Sequence, residues 1–394
     1  MSDPSTDLQN KWFNGLIQGL GVSQTNFQIL QPAPPLVASG NVNTDNNALW
    51  NYYNQIPVDD LTLNLVLSGG NSFFQDYSGV MSQMIPPNNI NVEADIGTEA
   101  FTAWQAYLQR FFPLPAFTQL SSLFLQWASI YYPSVANIGA SDYAALALNP
   151  ISAAQNELLA AYPTGTSPDF FGTYAQLVTQ LNSAPSRSFT FNSSNTSNDV
   201  SQSWNSGGSS NFFGLFGSSS SSSSSLFEQF SASQVTVDAS FEHILIVPAT
   251  PGNWYNSSAF NIAYSNSASP PWRANAQPNW NNTFSSQGNM QRFMASLIIA
   301  SGMTIKVHSA AQYSSVQQTT IKTSGSSGFW PFYSGSGSSS STSTATFNND
   351  DSMDILITSA SGIPVVIGGT VISTAQFLGH VAKGTRLFTS ASKS

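Results

Sequence analysis

Cysteine is absent from this 394-residue chain, and charge is scarce: Asp, Glu, Lys and Arg together make up 7% of it. The first absence removes disulfides, zinc–thiolate centres and thiol nucleophiles. The second leaves roughly a third of the charge density of an ordinary soluble domain. Ten basic residues against nineteen acidic ones give a net charge of −9. That balance excludes the clustered Lys and Arg on which nucleic-acid affinity depends and the polybasic patch that draws a protein to anionic lipid. Long hydrophobic runs are missing as well. A membrane-spanning helix needs roughly 18 uninterrupted apolar residues, and the best stretch, Leu120 to Tyr132, is broken by Ser121, Ser122, Gln126 and Ser129. The first residues carry neither a basic leader nor a continuous apolar core, so the expected location is the cytoplasm, or release without a recognisable signal peptide. Catalytic signatures are missing too: there is no HExxH, no GxSxG, no GxGxxG after a strand and no Walker loop.

What is present is aromatic mass and a change of pattern near residue 185. The chain holds 27 Phe, 13 Tyr and 9 Trp, ample material for a core. Residues 1–186 contain only two basic residues, Lys11 and Arg110, against twelve of the nineteen acids. In this half Leu8, Trp12, Phe13, Leu16, Ile17 and Leu20 share one helical face, after Ser5 or Asp7 as caps. Helical spacing recurs over Thr98 to Phe112, Phe117 to Tyr132, Ser152 to Tyr162 and Asp169 to Leu181, with Thr98 and Asp169 as expected caps. The alternation Leu61, Leu63, Leu65, Leu67 reads as one strand. After residue 185 the period becomes two: Phe189 and Phe191; Val235, Val237, Ala239 and Phe241; Met303, Ile305 and Val307; Met353, Ile355 and Ile357. The run from Ile363 to Ile372 is continuous and apolar, as for a strand covered on both faces. The expected fold is α+β, a mainly helical domain over 1–185 packed on a β-rich domain over 186–394 with an antiparallel sheet.

An internal repeat lies in the second half. The segment around Phe212, Phe213, Leu215 and Phe216 aligns without a gap on that around Phe329, Trp330, Phe332 and Tyr333, 117 residues later. A serine tract follows each, and alternating arms flank both. Order, spacing and chemistry rarely persist together by chance. The reading is a duplicated hairpin, over 188–247 and 303–367: strand, flexible Ser/Gly-rich excursion with an aromatic tip, returning strand. Four large apolar side chains on such a tip either fold back onto the molecule or engage a partner. These paired Ser/Thr-rich hairpins are similar in outline to the membrane-inserting hairpins of β-pore-forming toxins, in composition and alternation only. The serine arms are more polar than a lipid-facing strand, and the glycine-rich signature of perforin-like proteins is not present.

Candidate chemistry is sparse. His243 beside Glu242, and His308 within its strand, read as paired strand histidines; His380 is the third. Asp350, Asp351 and Asp354 have hard oxygen ligands but depart from the calcium-loop spacing, so they read as a solvated turn. Trp254, Trp272 and Trp280 among Asn, Ser and Pro suit either a glycan surface or an aromatic-pinned loop, with Arg273 stacked beside Trp272. The sequence-based expectation is a non-enzymatic interaction protein with no cofactor and no metal. Its aromatic tips engage a neutral membrane surface, with pore-like insertion after homo-oligomerisation. The alternatives are a self-assembling structural protein and a glycan-binding module.

Overall fold

The computed structural model describes residues 4–29, 35–57, 72–86, 90–111, 115, 117–162, 167–199, 221–323, 328–329, 332–333 and 341–380. The architecture is α+β, with a seven-stranded sheet and helices concentrated in the N-terminal half. The chain does not part near residue 185. One compact unit takes residues 1–70, 171–250 and 292–372, and the other takes 71–170, 251–291 and 373–394. The 1–185 and 186–394 division is therefore corrected: composition changes there, but tertiary contacts pair α-rich and β-rich segments from both sides.

The first unit is built on a sheet of β1 (Phe27–Ile29), β2 (Arg187–Asn192), β3 (Val235–Pro248), β4 (Arg292–Ser309), β5 (Ser341–Phe347), β6 (Met353–Ser359) and β7 (Val365–Ser373). The long β4 is the spine. β3 pairs with it antiparallel from Val235↔Ser309 to Pro248↔Ser296, and β2 lies outside β3. On its other side β4 carries β6 and then β5 along its C-terminal half. Along its N-terminal half β4 has β7 beside it, with β1 outside β7, and the Ser296 and Thr370 hydroxyls bond at 2.5 Å. Alternation gives one buried face. Phe191, Val237, Ala239, Ile305, Val307, Ile355 and Ile357 all point into one core.

Helix α1 (Pro4–Leu20) covers that face, and all six apolar residues expected on its inner side are buried. It starts at Pro4, so Ser5 and Asp7 lie inside the helix and do not cap it. The unit also holds α2 (Val42–Tyr53), α9 (Tyr174–Asn182), α10 (Ser221–Ser231) and α13 (Ser315–Thr323). For α9 the cap is Thr173, reciprocated by Gln176 in a capping box, not Asp169. The expected strand at Leu61 to Leu67 lies outside the described residues.

The second unit is helical: α3 (Phe73–Ser82), α4 (Val92–Ile96), α5 (Thr98–Leu108), α6 (Leu120–Tyr131), α7 (Ala136–Ala147), α8 (Pro150–Ala161), α11 (Ser257–Ser265), α12 (Trp280–Phe284) and α14 (Thr374–Phe377). The N-cap of α5 is Gly97 at φ 85°, and Thr98 is the first helical residue. One core gathers Trp104, Phe124, Trp127 and Tyr143, with Trp104 and Phe124 edge-to-face at 5.0 Å.

Candidate functional site

The arms of the two expected hairpins form two antiparallel strand pairs in the sheet. In β2–β3, Phe189 faces Ala239 and Phe191 faces Val237; in β4–β6, Ile305 faces Ile357 and Val307 faces Ile355. Each pair is antiparallel and turns the matching residues to the core. The 117-residue offset of the tips does not carry into the arms, because it would set core-facing Phe189 on exposed Lys306. A one-residue shift exchanges the faces of a strand, and the equivalence that keeps faces matches Phe189 with Ile305.

Between the arms the two halves diverge. Residues 221–231, with the last of the first serine tract, form α10, which buries Leu226, Phe227 and Phe230. Residues 341–347, where the second tract ends, form β5, with Ala345 and Phe347 half-buried against the core and Thr342, Thr344 and Thr346 exposed. Spacing decides the outcome. Apolar residues at i, i+1 and i+4 make a helix face, whereas alternation makes a strand. The excursions are thus structured at these two places, where flexible serine connections were expected.

Both excursions leave from the same end of the sheet. Asn192, Thr236, His308 and Asp354 stand in one row across β2, β3, β4 and β6. Beyond this row, α10 and α13 contribute Phe230 and Ile321 to the same core. The Gln229 amide donates to the Gln312 carbonyl at 2.5 Å, and Gln317 donates to the Gln229 side chain at 2.9 Å. Of the expected contact residues, Phe212, Phe213, Leu215, Phe216 and Trp330 lie outside the described residues. The backbone of the second tip closes a small antiparallel ladder, Gly328↔Tyr333 and Phe329↔Phe332.

The outer face of the same strands is a hydroxyl-rich surface. Ser188, Ser240, Thr304, Thr358 and Thr342 form one row, and Thr190, Asp238, Lys306, Leu356 and Thr344 the next. The β2–β3–β4 part holds a shallow depression lined by Ser188, Thr190, Asp238, Ser240, Thr304 and Lys306. At the edge of this face His308 Nδ1 meets Asp354 Oδ1 at 2.7 Å, and Asn348 donates to the other carboxylate oxygen at 3.0 Å. Both partners are nearly half exposed, which makes this a surface pair. The turn from β5 to β6 uses Asp350 as a local acceptor. Hydrogen bonds from the Ser352 hydroxyl and backbone hold its carboxyl below the ordinary range. Among the described residues no group of three or more His, Asp or Glu is placed to hold a metal ion.

His243 bonds the Ala184 carbonyl at 2.7 Å. Trp254 and Trp272 are buried, and their indoles donate to the carbonyls of Asp169 and Asn266, so neither presents a ring to a sugar. Trp280 is half-buried and donates to Tyr264 O at 2.8 Å. Arg273 does not stack on Trp272; its Nε donates to the Ser82 carbonyl. These tryptophans pin a loop.

Sequence reasoning missed an acidic group in the second unit. Asp76, in the first turn of α3, has a buried Oδ2 without a hydrogen-bond partner, and burial raises its pKa to about 6 against a lowering bond from Asn289. Burial also pushes Glu157 upward. A lone Asp among Phe73, Phe74 and Tyr77 was the available signal. Among the described residues no helix is long and apolar enough to cross a membrane. Compared with known proteins, the chain matches no family model, no curated sequence and no solved structure.

Proposed function

We propose that this chain is a non-enzymatic interaction protein that brings two aromatic-bearing excursions, from one end of one sheet, onto a neutral lipid surface, and that several copies assemble there with pore-like insertion. The observation that carries this reading is the level row Asn192, Thr236, His308, Asp354, which makes two strand pairs of matched register the bases of two neighbouring excursions. The low charge supports a neutral surface, since few ions need be desolvated on approach. Size-exclusion chromatography with and without phosphatidylcholine vesicles tests it, on the parent and on the variant Phe329→Ser, Trp330→Ser, Phe332→Ser, Tyr333→Ser. Vesicle binding and a larger oligomer are expected from the parent, and loss of both from the variant. Equal binding by the two proteins overturns the reading.

A second reading, self-assembly without lipid, is favoured by β5. It is the last strand beyond β6 among the described residues, and its sequence STSTATF has no charge and no proline. Such edges extend readily through another chain.

A further inference from the structure

The second unit has its own apolar projection, in a stretch without charge. From Phe111 to Ser141 there is no Asp, Glu, Lys, Arg or His. Within it α6 and α7 are joined by the short turn 132–135 and pack closely, with Ser121 Oγ donating to Ala140 O at 2.6 Å. Gly139 faces the ring of Phe124 where a Cβ would not fit. The inner side of the pair is spoken for by Phe124, Trp127, Ala128, Ala140 and Tyr143. Around the turn the pattern reverses. Ile130 is 74% exposed, Tyr131 63% and Ile138 50%. Ile130 and Tyr131 occupy the last turn of α6, and Ile138 the first turn of α7.

We propose that this turn is an interfacial anchor for a zwitterionic bilayer, with Ile130, Tyr131 and Ile138 entering the headgroup boundary. Three features select this partner. The exposed residues flank the short turn 132–135, each within about one helical turn of it. A tyrosine between apolar neighbours matches the headgroup zone, where an apolar ring and a wet hydroxyl are both satisfied. The absence of basic residues, in a chain of net charge −9, selects neutral over anionic lipid. Two helices of 12 residues are each about 18 Å long, too short to span, so the hairpin docks at the surface. The inference shares its class of partner with the proposed function but rests on different residues in a different unit.

The absence of native cysteine makes the test clean. Ser134→Cys in the full chain, labelled with an environment-sensitive fluorophore, is titrated with phosphatidylcholine vesicles, and so is the same protein carrying the four serine substitutions at Phe329, Trp330, Phe332 and Tyr333. Unlabelled Ile130→Ser, Tyr131→Ser, Ile138→Ser is compared by co-sedimentation with the parent and with Leu148→Ser, which alters an exposed leucine at the far end of α7. The expected results are a rise in emission and a fall in vesicle affinity on the order of 100-fold for the triple variant, with Leu148→Ser unchanged. Vesicle binding with a silent label and an unaffected triple variant overturns this inference and leaves the reading of the excursions standing. A label that responds equally with and without the four serine substitutions supports the anchor and overturns that reading. Binding by neither protein overturns both. An oligomer that dissociates in the triple variant without any vesicle response assigns the turn to a second copy and overturns the lipid proposal.

Discussion

Gly19 lies flat against the ring of Phe189, so close that a Cβ there would sit within the ring's own van der Waals envelope. Gly15, one helical turn earlier, stands in the same relation to Phe191. These two glycines let α1 settle directly on β2. Alanine is normally favoured over glycine in a helix by about 1 kcal/mol. Here the clash reverses the sign, and Gly19→Ala lowers stability by about 1–3 kcal/mol. Chemical denaturation measures it. Adding Phe189→Ala recovers part of that loss if the ring is the cause, and additive effects would show that it is not.

A second prediction concerns pH. Burial raises Asp76 to about 6, so the folded state holds its proton more tightly than the unfolded chain does. The stability this contributes is fully present below the unfolded value near 4 and is lost as pH rises through about 6. Asp76→Asn removes the penalty. The variant should melt higher than the parent at pH 7.5, by on the order of 1–2 kcal/mol after discounting for partial exposure, and the two should converge near pH 3.5. A gap that is constant across pH would contradict the argument.

In α10, Phe230 is fully buried and stands beside Leu226 and Phe227 in the main core. Phe230→Ala should cost about 3–5 kcal/mol. A loss below about 1 kcal/mol would show that the second half of this excursion is loosely held. The contrast is His308→Ala, which breaks a half-exposed pair with Asp354 and should cost less than about 1 kcal/mol.

Gly302 adopts φ +59°, and a Cβ there would run into the Glu242 carboxylate on the neighbouring strand. Gly302→Ala combines backbone strain with that collision, so a loss of about 2 kcal/mol or more is expected. Glu242→Ala in the same protein should relieve the collision and leave only the strain, as paired denaturation curves would resolve.

Periodicity alone carries much of this fold. The inner face of α1, the strands around Phe191, Val237, Ile305 and Ile355, and the buried run in β7 follow from spacing, because a face that must be buried dictates where apolar residues fall. The failures have a physical pattern too. The serine tracts were read by composition, yet α10 and β5 are organised by the few apolar residues after them, Phe227 and Phe230 in one and Ala345 and Phe347 in the other. The boundary at 185 failed because long-range packing sets a unit, and Trp12 finds Phe191 across most of the first half, with centroids 5.2 Å apart. The candidate site was legible only as a pair of hairpins. The row that levels them depends on register, which alternation leaves open by two residues at a time. Exposure of Ile130 and Tyr131 was illegible, since the same spacing in α6 serves an inner and an outer face.

The interleaving of the two units also governs how the chain emerges during synthesis. Leu8, Trp12 and Phe13 leave the ribosome long before Phe191 and Ile305, the strands they cover. At about 5–20 residues per second, α1 waits on the order of 10–60 s for these strands with its apolar side uncovered. The sheet closes only when β7, ending at Ser373, has been made. The apolar side of α1 therefore depends on strands made much later, and these must arrive before a neighbouring chain covers it.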